Sequence, residues 1–244
     1  MRWSVLLMNN RRAVLSIGNT NAYLGLFSDR GNEFYSAEKK YFEYASNHSF
    51  NNLYAVSVSQ RHSREILPEA EQYFAEIEVL TKDESRLSTK YSVEDMGIDR
   101  FMNIYYIQRN EIYPSLIIDA GTADTFDFID SDGMHLGGMI IPGTSAMNSA
   151  LSYKTEIPPV DITADIDVMG TDTRSAVSSG IYSLWINGLL YFIELAGKTL
   201  GSPEIIVTGG NGASIKEMIQ ETQFIPHLTL KGINRYAEDI YCSE

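Results

Sequence analysis

One pattern occurs twice in this chain and limits what it can fold into. Ala13-Val14-Leu15-Ser16-Ile17 is apolar and β-prone, turns at Gly18-Asn19-Thr20-Asn21, and returns as Ala22-Tyr23-Leu24-Gly25-Leu26-Phe27 before Ser28-Asp29-Arg30-Gly31. Ser115-Leu116-Ile117-Ile118-Asp119 does the same through Ala120-Gly121-Thr122 into the alternating run Thr125–Asp130, closed by Ser131-Asp132-Gly133. Both read as β-hairpins bounded by turn residues. Overlaid, Ser16-Ile17-Gly18-Asn19 falls on Asp119-Ala120-Gly121-Thr122, Tyr23 on Phe126, Leu26 on Ile129 and Asp29 on Asp132. Such self-similarity is the mark of a duplicated supersecondary unit. It predicts two like α/β subdomains, 1–112 and 113–244, joined near Asn110–Pro114 with a cleft between them.

The remaining pattern supports an α/β class. In the first half, strands are expected at Glu33–Ala37, Leu53–Ser59 and Ile77–Leu80, and helices at Ser63–Phe74 and Asp99–Gln108. In the second, strands are expected at Leu136–Ile141 and Glu204–Val207, and helices at Thr144–Leu151, Ser175–Leu195 and Ser214–Glu221. Tyr182, Leu184, Trp185, Leu189, Tyr191 and Phe192 make one helix unusually apolar; it reads as a core helix first and a dimer seam second.

Charge excludes some partners. With 19 Lys and Arg against 32 Asp and Glu, the net charge is −13. That surface offers no electrostatic footprint for nucleic acid or an anionic membrane. An anionic ligand would need local backbone N–H groups, placed Arg residues or a bound cation. The lone Cys242 can form no internal disulfide, and no Cys cluster can hold zinc. No run approaches the ~20 apolar residues of a membrane span, and Val5-Leu6-Leu7-Met8 lacks a signal-peptide layout. A cytoplasmic protein is expected. His48, His62, His135 and His227 show no metal-ligand spacing and read as surface or loop residues, and the residues before Ala13 suggest no function.

The repeated turns point to phosphate. Gly lacks the Cβ that would block an anion from the backbone, and neighbouring hydroxyls add donors. Either turn alone is an ordinary hairpin turn. Two in register could hold the β- and γ-phosphates of a nucleotide, with an acidic residue at a strand end organising a cation.

These residues resemble a known family. Ser16-Ile17-Gly18-Asn19-Thr20-Asn21, Gly97-Ile98-Asp99-Arg100, Asp119-Ala120-Gly121-Thr122-Ala123, Leu136-Gly137-Gly138-Met139-Ile140-Ile141-Pro142-Gly143, Gly170-Thr171-Asp172-Thr173 with Ser179-Gly180, and Thr208-Gly209-Gly210 look like the ordered motifs of type III pantothenate kinases. The resemblance runs from about Val14 to Gly210. It implies an actin-like ATPase fold of two ribonuclease H-like subdomains. It also implies ATP-dependent phosphorylation of pantothenate, a homodimer, Mg²⁺, and K⁺ or NH₄⁺.

The resemblance also implies roles. Asp99 matches the catalytic aspartate, and a carboxylate there can orient a primary hydroxyl and take its proton. A helix cap is the plainer use of such an Asp. Arg100 would meet the pantothenate carboxylate with its planar fork, against the plainer expectation of a surface ion pair. Tyr91, Gly97 and Ile98 would line the substrate, and Thr173 would reach the neighbouring subunit's site unless it merely caps the following helix. Ser16, Ile17, Gly18, Asn19, Thr20, Gly121, Thr122, Gly209 and Gly210 would contact ATP, and Asp119 would face the monovalent cation. Ser16 stands where the family carries Asp beside the triphosphate, so a weak or inactive homologue that binds ligand or regulates is the second reading.

Overall fold

The computed structural model describes Arg11–Ile162 and Met169–Tyr241; Cys242 and the residues before Arg11 lie outside those limits. The element order is β1 (Arg12–Ile17), β2 (Ala22–Ser28), β3 (Gly31–Ser36), α1 (Lys39–Asn47), β4 (Asn52–Ser57), α2 (Gln60–Ala70), β5 (Glu76–Val79) and α3 (Ile98–Arg109). It continues with β6 (Ser115–Ala120), β7 (Ala123–Ile129), β8 (His135–Pro142), α4 (Thr144–Lys154), α5 (Thr173–Leu200), β9 (Glu204–Thr208), α6 (Gly212–Met218), β10 (Gln223–Phe224) and α7 (Leu228–Tyr241).

The duplication is real and extends to whole sheets. One sheet has the order β3-β2-β1-β4-β5, and the other, read from its opposite edge, β8-β7-β6-β9-β10. β1 pairs antiparallel with β2 and parallel with β4; β6 pairs antiparallel with β7 and parallel with β9. The direct overlay of the two hairpins needs one correction. Ile17 pairs with Ala22, whereas Ala120 pairs with Asp124, so the second turn is one residue shorter. Tyr23, opposite Ser16, therefore corresponds to Thr125, opposite Asp119, and Leu26 corresponds to Phe128. A one-residue slip exchanges the faces of a strand, and only this register puts Leu24 and Leu26 where Phe126 and Phe128 are buried.

The chain divides into two units that are not consecutive in sequence. The first comprises residues up to Leu87, Ser92–Asn110 and the segment from His227 onward; the second comprises Ser88–Tyr91 and Glu111–Pro226. In the first, a core of Leu15, Ile17, Leu24, Leu26, Phe42 and Leu53 lies on one face of the sheet. Helix α7 packs on α3, β1, β2 and β4. Gly232 allows that approach, because a Cβ there would collide with the Met102 carbonyl on α3. Glycine is a poor helix former, but here close helix packing outweighs propensity.

In the second unit, Trp185, Leu189 and Ala196 of α5 pack on Leu116, Ile118, Phe126 and Phe128. α5 meets the length and composition of a membrane-crossing helix, a test that core helices of globular proteins also pass. Its buried apolar residues recur at helical spacing (Val177, Ile181, Trp185, Leu189 and Ala196), as on a helix laid against a core. Leu184 and Tyr191 stay exposed on another face.

Candidate active site

In each sheet, the hairpin turn follows the central strand at its carboxyl end, beside a parallel neighbour. That edge is where open α/β sheets bind ligands. In the first unit, Gly18 closes its turn through N–H···O to Asn21 at 2.9 Å. His62, near the start of α2, donates from Nδ1 to the Gly18 carbonyl at 2.9 Å. Asn19 and Thr20 are exposed at the tip, and Ser16 is half-buried in β1. The Val58 N–H donates to the Ile17 carbonyl, locking the strand end to the segment after β4.

In the second unit, Asp119, Gly121, Thr122 and Gly209 come together. Asp119 pairs with Thr208 across β6 and β9, which brings the two strand ends side by side. Gly209 has φ +83°, and a Cβ there would lie 2.5 Å from Asp119 Oδ1 and collide with the Ala120 carbonyl. From the other side, Gly143 presses in before α4: its N–H donates to the Thr122 carbonyl at 2.9 Å, and a Cβ would strike the Gly121 carbonyl. Asn211 donates its N–H to the Ala120 carbonyl at 3.0 Å, and Gly210 is exposed beside it.

The turn is held by a residue that sequence reasoning passed over. Asp124 is fully buried. One carboxylate oxygen accepts the Gly121 N–H at 3.0 Å and the other accepts the Trp185 indole N–H at 2.6 Å. Burial raises the Asp124 pKa from the ordinary 3.8, while the Trp185 and Gly121 hydrogen bonds oppose the rise. A signal was present: period-two alternation puts Asp124 on the inward face with Phe126 and Phe128, where a carboxylate needs partners. Both glycine amides are thus committed within their turns, so an anion held there must be met by other groups.

The third constellation is the start of α3. Gly97 occupies the N-cap position and makes no side-chain cap, and Asp99 accepts the Arg100 N–H at 2.8 Å. Asp99 is half-buried, and its carboxylate near a helix N-terminus is favoured by the dipole there. Ile98 opens the helix beside it. Arg100 is only 4% exposed, which rules out the surface ion pair. Thr173 does not cap its helix either: Asp172 does, in a capping box with Ser175, and Thr173 is exposed at the first helical position. Tyr91 is half-buried in the second unit. Of the histidines, His135 is fully buried, contrary to the surface or loop role expected for it, because Asp127 and Thr89 satisfy both ring nitrogens.

Two like sheets with turns at the carboxyl ends of their central strands define an actin-like ATPase fold. Solved structures show the same fold: a Campylobacter jejuni protein described as a Baf family transcriptional activator (TM-score 0.60, 21% identity, covering 93% of this chain and 98% of that one). A second is the activator of 2-hydroxyisocaproyl-CoA dehydratase from Clostridium difficile with bound ADPNP (TM-score 0.51, 13% identity, 94% of each chain). The family is narrower than the fold. A sequence model of the type III pantothenate kinases matches residues 13–194, and the chain belongs to that family. The Synechococcus elongatus type III pantothenate kinase is 30% identical over 244 residues, 93% of this chain and 96% of the relative. That from Finegoldia magna is 29% identical over 254 residues, 90% and 94% respectively.

The raised pKa of Asp124 sets a sign for its variant. Its carboxyl ionises more readily unfolded than folded, so folding stability falls as pH rises from about 3.8 through the folded value. Asp124→Asn cannot serve two N–H donors and should cost about 1–3 kcal/mol. That cost should shrink between pH 4 and pH 7 in guanidinium denaturation followed by circular dichroism. A cost that is constant or grows over that range contradicts the assignment.

Proposed function

We propose that this chain transfers the γ-phosphoryl group of ATP to the primary hydroxyl of pantothenate, giving 4′-phosphopantothenate in the first step of coenzyme A biosynthesis. The observation that carries the reading is the Gly97-Ile98-Asp99-Arg100 start of α3, in a chain that belongs to this kinase family. Asp99 is the catalytic residue: placed by the Arg100 N–H, its carboxylate orients the substrate hydroxyl and accepts its proton. Arg100 pairs with the pantothenate carboxylate, and Tyr91, Gly97 and Ile98 line the substrate. Ser16, Ile17, Gly18, Asn19, Thr20, Gly121, Thr122, Gly209 and Gly210 are the nucleotide contacts.

Among the described residues no group of three or more His, Cys, Asp and Glu could hold a metal. Mg²⁺, which the family's ATP chemistry calls for, takes most of its ligands from phosphates and water. When bound, it neutralises charge on the phosphates. Asp119, with its carboxylate against Gly209, is the residue for K⁺ or NH₄⁺. The protein works in the cytoplasm as a homodimer. Leu184, 68% exposed, and Tyr191, 59% exposed, lie seven residues apart on one face of α5 and supply the seam. Thr173, at the start of the same helix, reaches the partner's site. Light scattering should give twice the chain mass for the native protein and a monomer for Leu184→Glu combined with Tyr191→Glu; a native monomer overturns the seam.

Ser16 favours a second reading, a homologue that binds without turnover, because a neutral hydroxyl is a poor Mg²⁺ ligand. A coupled assay with pantothenate, ATP and Mg²⁺ separates the two. The kinase reading expects turnover that falls by at least about 100-fold in Asp99→Asn, the scale of general base loss. Pantothenate binding by calorimetry without product, with turnover appearing in Ser16→Asp, establishes the second reading instead.

A further inference from the structure

A polar relay built on buried His135 and Asp127 in the second unit has no part in the phosphate turn. His135 begins β8 and is fully buried. Its Nε2 lies 3.0 Å from Oδ1 of buried Asp127, and its Nδ1 lies 2.8 Å from the Thr89 hydroxyl. The Tyr91 N–H donates to the same Thr89 oxygen at 2.9 Å. The backbone adds two bonds: His135 N–H to the Ser88 carbonyl at 3.0 Å, and Lys90 N–H to the His135 carbonyl at 2.9 Å. The Tyr91 ring lies 6.2 Å from the imidazole, centroid to centroid.

One assignment of hydrogens satisfies every group. Asp127 accepts from Nε2–H, the Thr89 hydroxyl donates to Nδ1, and the Thr89 oxygen then accepts from Tyr91 N–H. The order acid, imidazole, hydroxyl resembles an acid–base–nucleophile set. It does not act as one: the Thr89 oxygen is committed to a backbone amide and the imidazole meets no solvent. What the chain of bonds can do is fix a segment. Ser88–Tyr91 lies outside any helix or extended strand, and His135 ties it through both backbone and side chain.

We propose that Asp127, His135 and Thr89 are positioning residues that set the Tyr91 backbone, and through it the side chain that lines the pantothenate site. This rests on the substrate reading of Tyr91 given above. Burial stiffens the Asp127–His135 end of the relay, where an orphaned group would keep its desolvation cost, and half-buried Thr89 passes that fixed imidazole position on to the Tyr91 N–H.

Thr89→Val keeps the shape and removes the hydroxyl; Thr89→Ser keeps the hydroxyl. Thr89→Val should raise the KM for pantothenate about tenfold, the scale of one lost hydrogen bond. Its kcat and its KM for ATP should stay within about twofold, and Thr89→Ser should restore the pantothenate KM. An unchanged pantothenate KM in Thr89→Val, beside a raised one in Tyr91→Ala, overturns the relay. Unchanged values in both variants overturn the substrate reading of Tyr91 and the relay with it. Imidazole ¹⁵N shifts test the bonds without turnover: His135 should report Nε2–H in the native protein and a displaced Nδ1 signal in Thr89→Val. An Nδ1–H tautomer, or identical spectra, contradicts the hydrogen-bond assignment.

Discussion

The arrangement depends on a central strand with two unlike neighbours. β1 and β6 each run antiparallel to the strand that follows by a short turn and parallel to one that returns after a long connection. The hairpin forces a turn at the strand's carboxyl end, and the parallel neighbour ends at the same edge. Backbone from two strands is thereby gathered where no side chain need intervene. In the second unit this puts Gly209 against Asp119, a contact that only glycine allows. The net charge of −13 is then no obstacle to anionic substrates, because local donors and cations act at distances where the distant surface charge is screened.

The two copies have diverged in how the turn is held. The first is closed by backbone, through Gly18 and Asn21, with His62 beneath it. The second is one residue shorter and closed by the Asp124 side chain, which also anchors Trp185 of α5. A buried carboxylate with two N–H donors fixes geometry strongly, since either donor left alone would be costly. The strand-end carboxylate is likewise present in only one copy, as Asp119, with Ser16 at the matching place. Charge at these strand ends is therefore unequal between the units.

Much of the fold was legible because its strands are apolar runs bounded by turn residues. β1, β2, β6, β7 and β9 all fall where alternation and punctuation put them. α1 and α7 were not legible. α7 carries Gly232 in mid-helix, which reads as a breaker until Met102 on α3 shows why it is there. The exact hairpin register also needed the paired strands, since overlaying sequences cannot see a turn shortened by one residue. At the site, the motif residues were visible as motifs, but Asp124, Trp185 and the His135 relay were not. Alternation marks Asp124 as inward-facing, but its bond to Trp185 and the Thr89–His135 bond join residues 61 and 46 positions apart, which a one-dimensional pattern does not carry.

The central proposal is that each repeated turn contacts the nucleotide. Hydrogen–deuterium exchange with and without Mg·ATP tests it in one measurement. The account predicts slower exchange in the peptides spanning 16–21 and 119–124 together, with β3 unchanged. Slower exchange confined to one turn, or absent from both while ATP is bound, would contradict it.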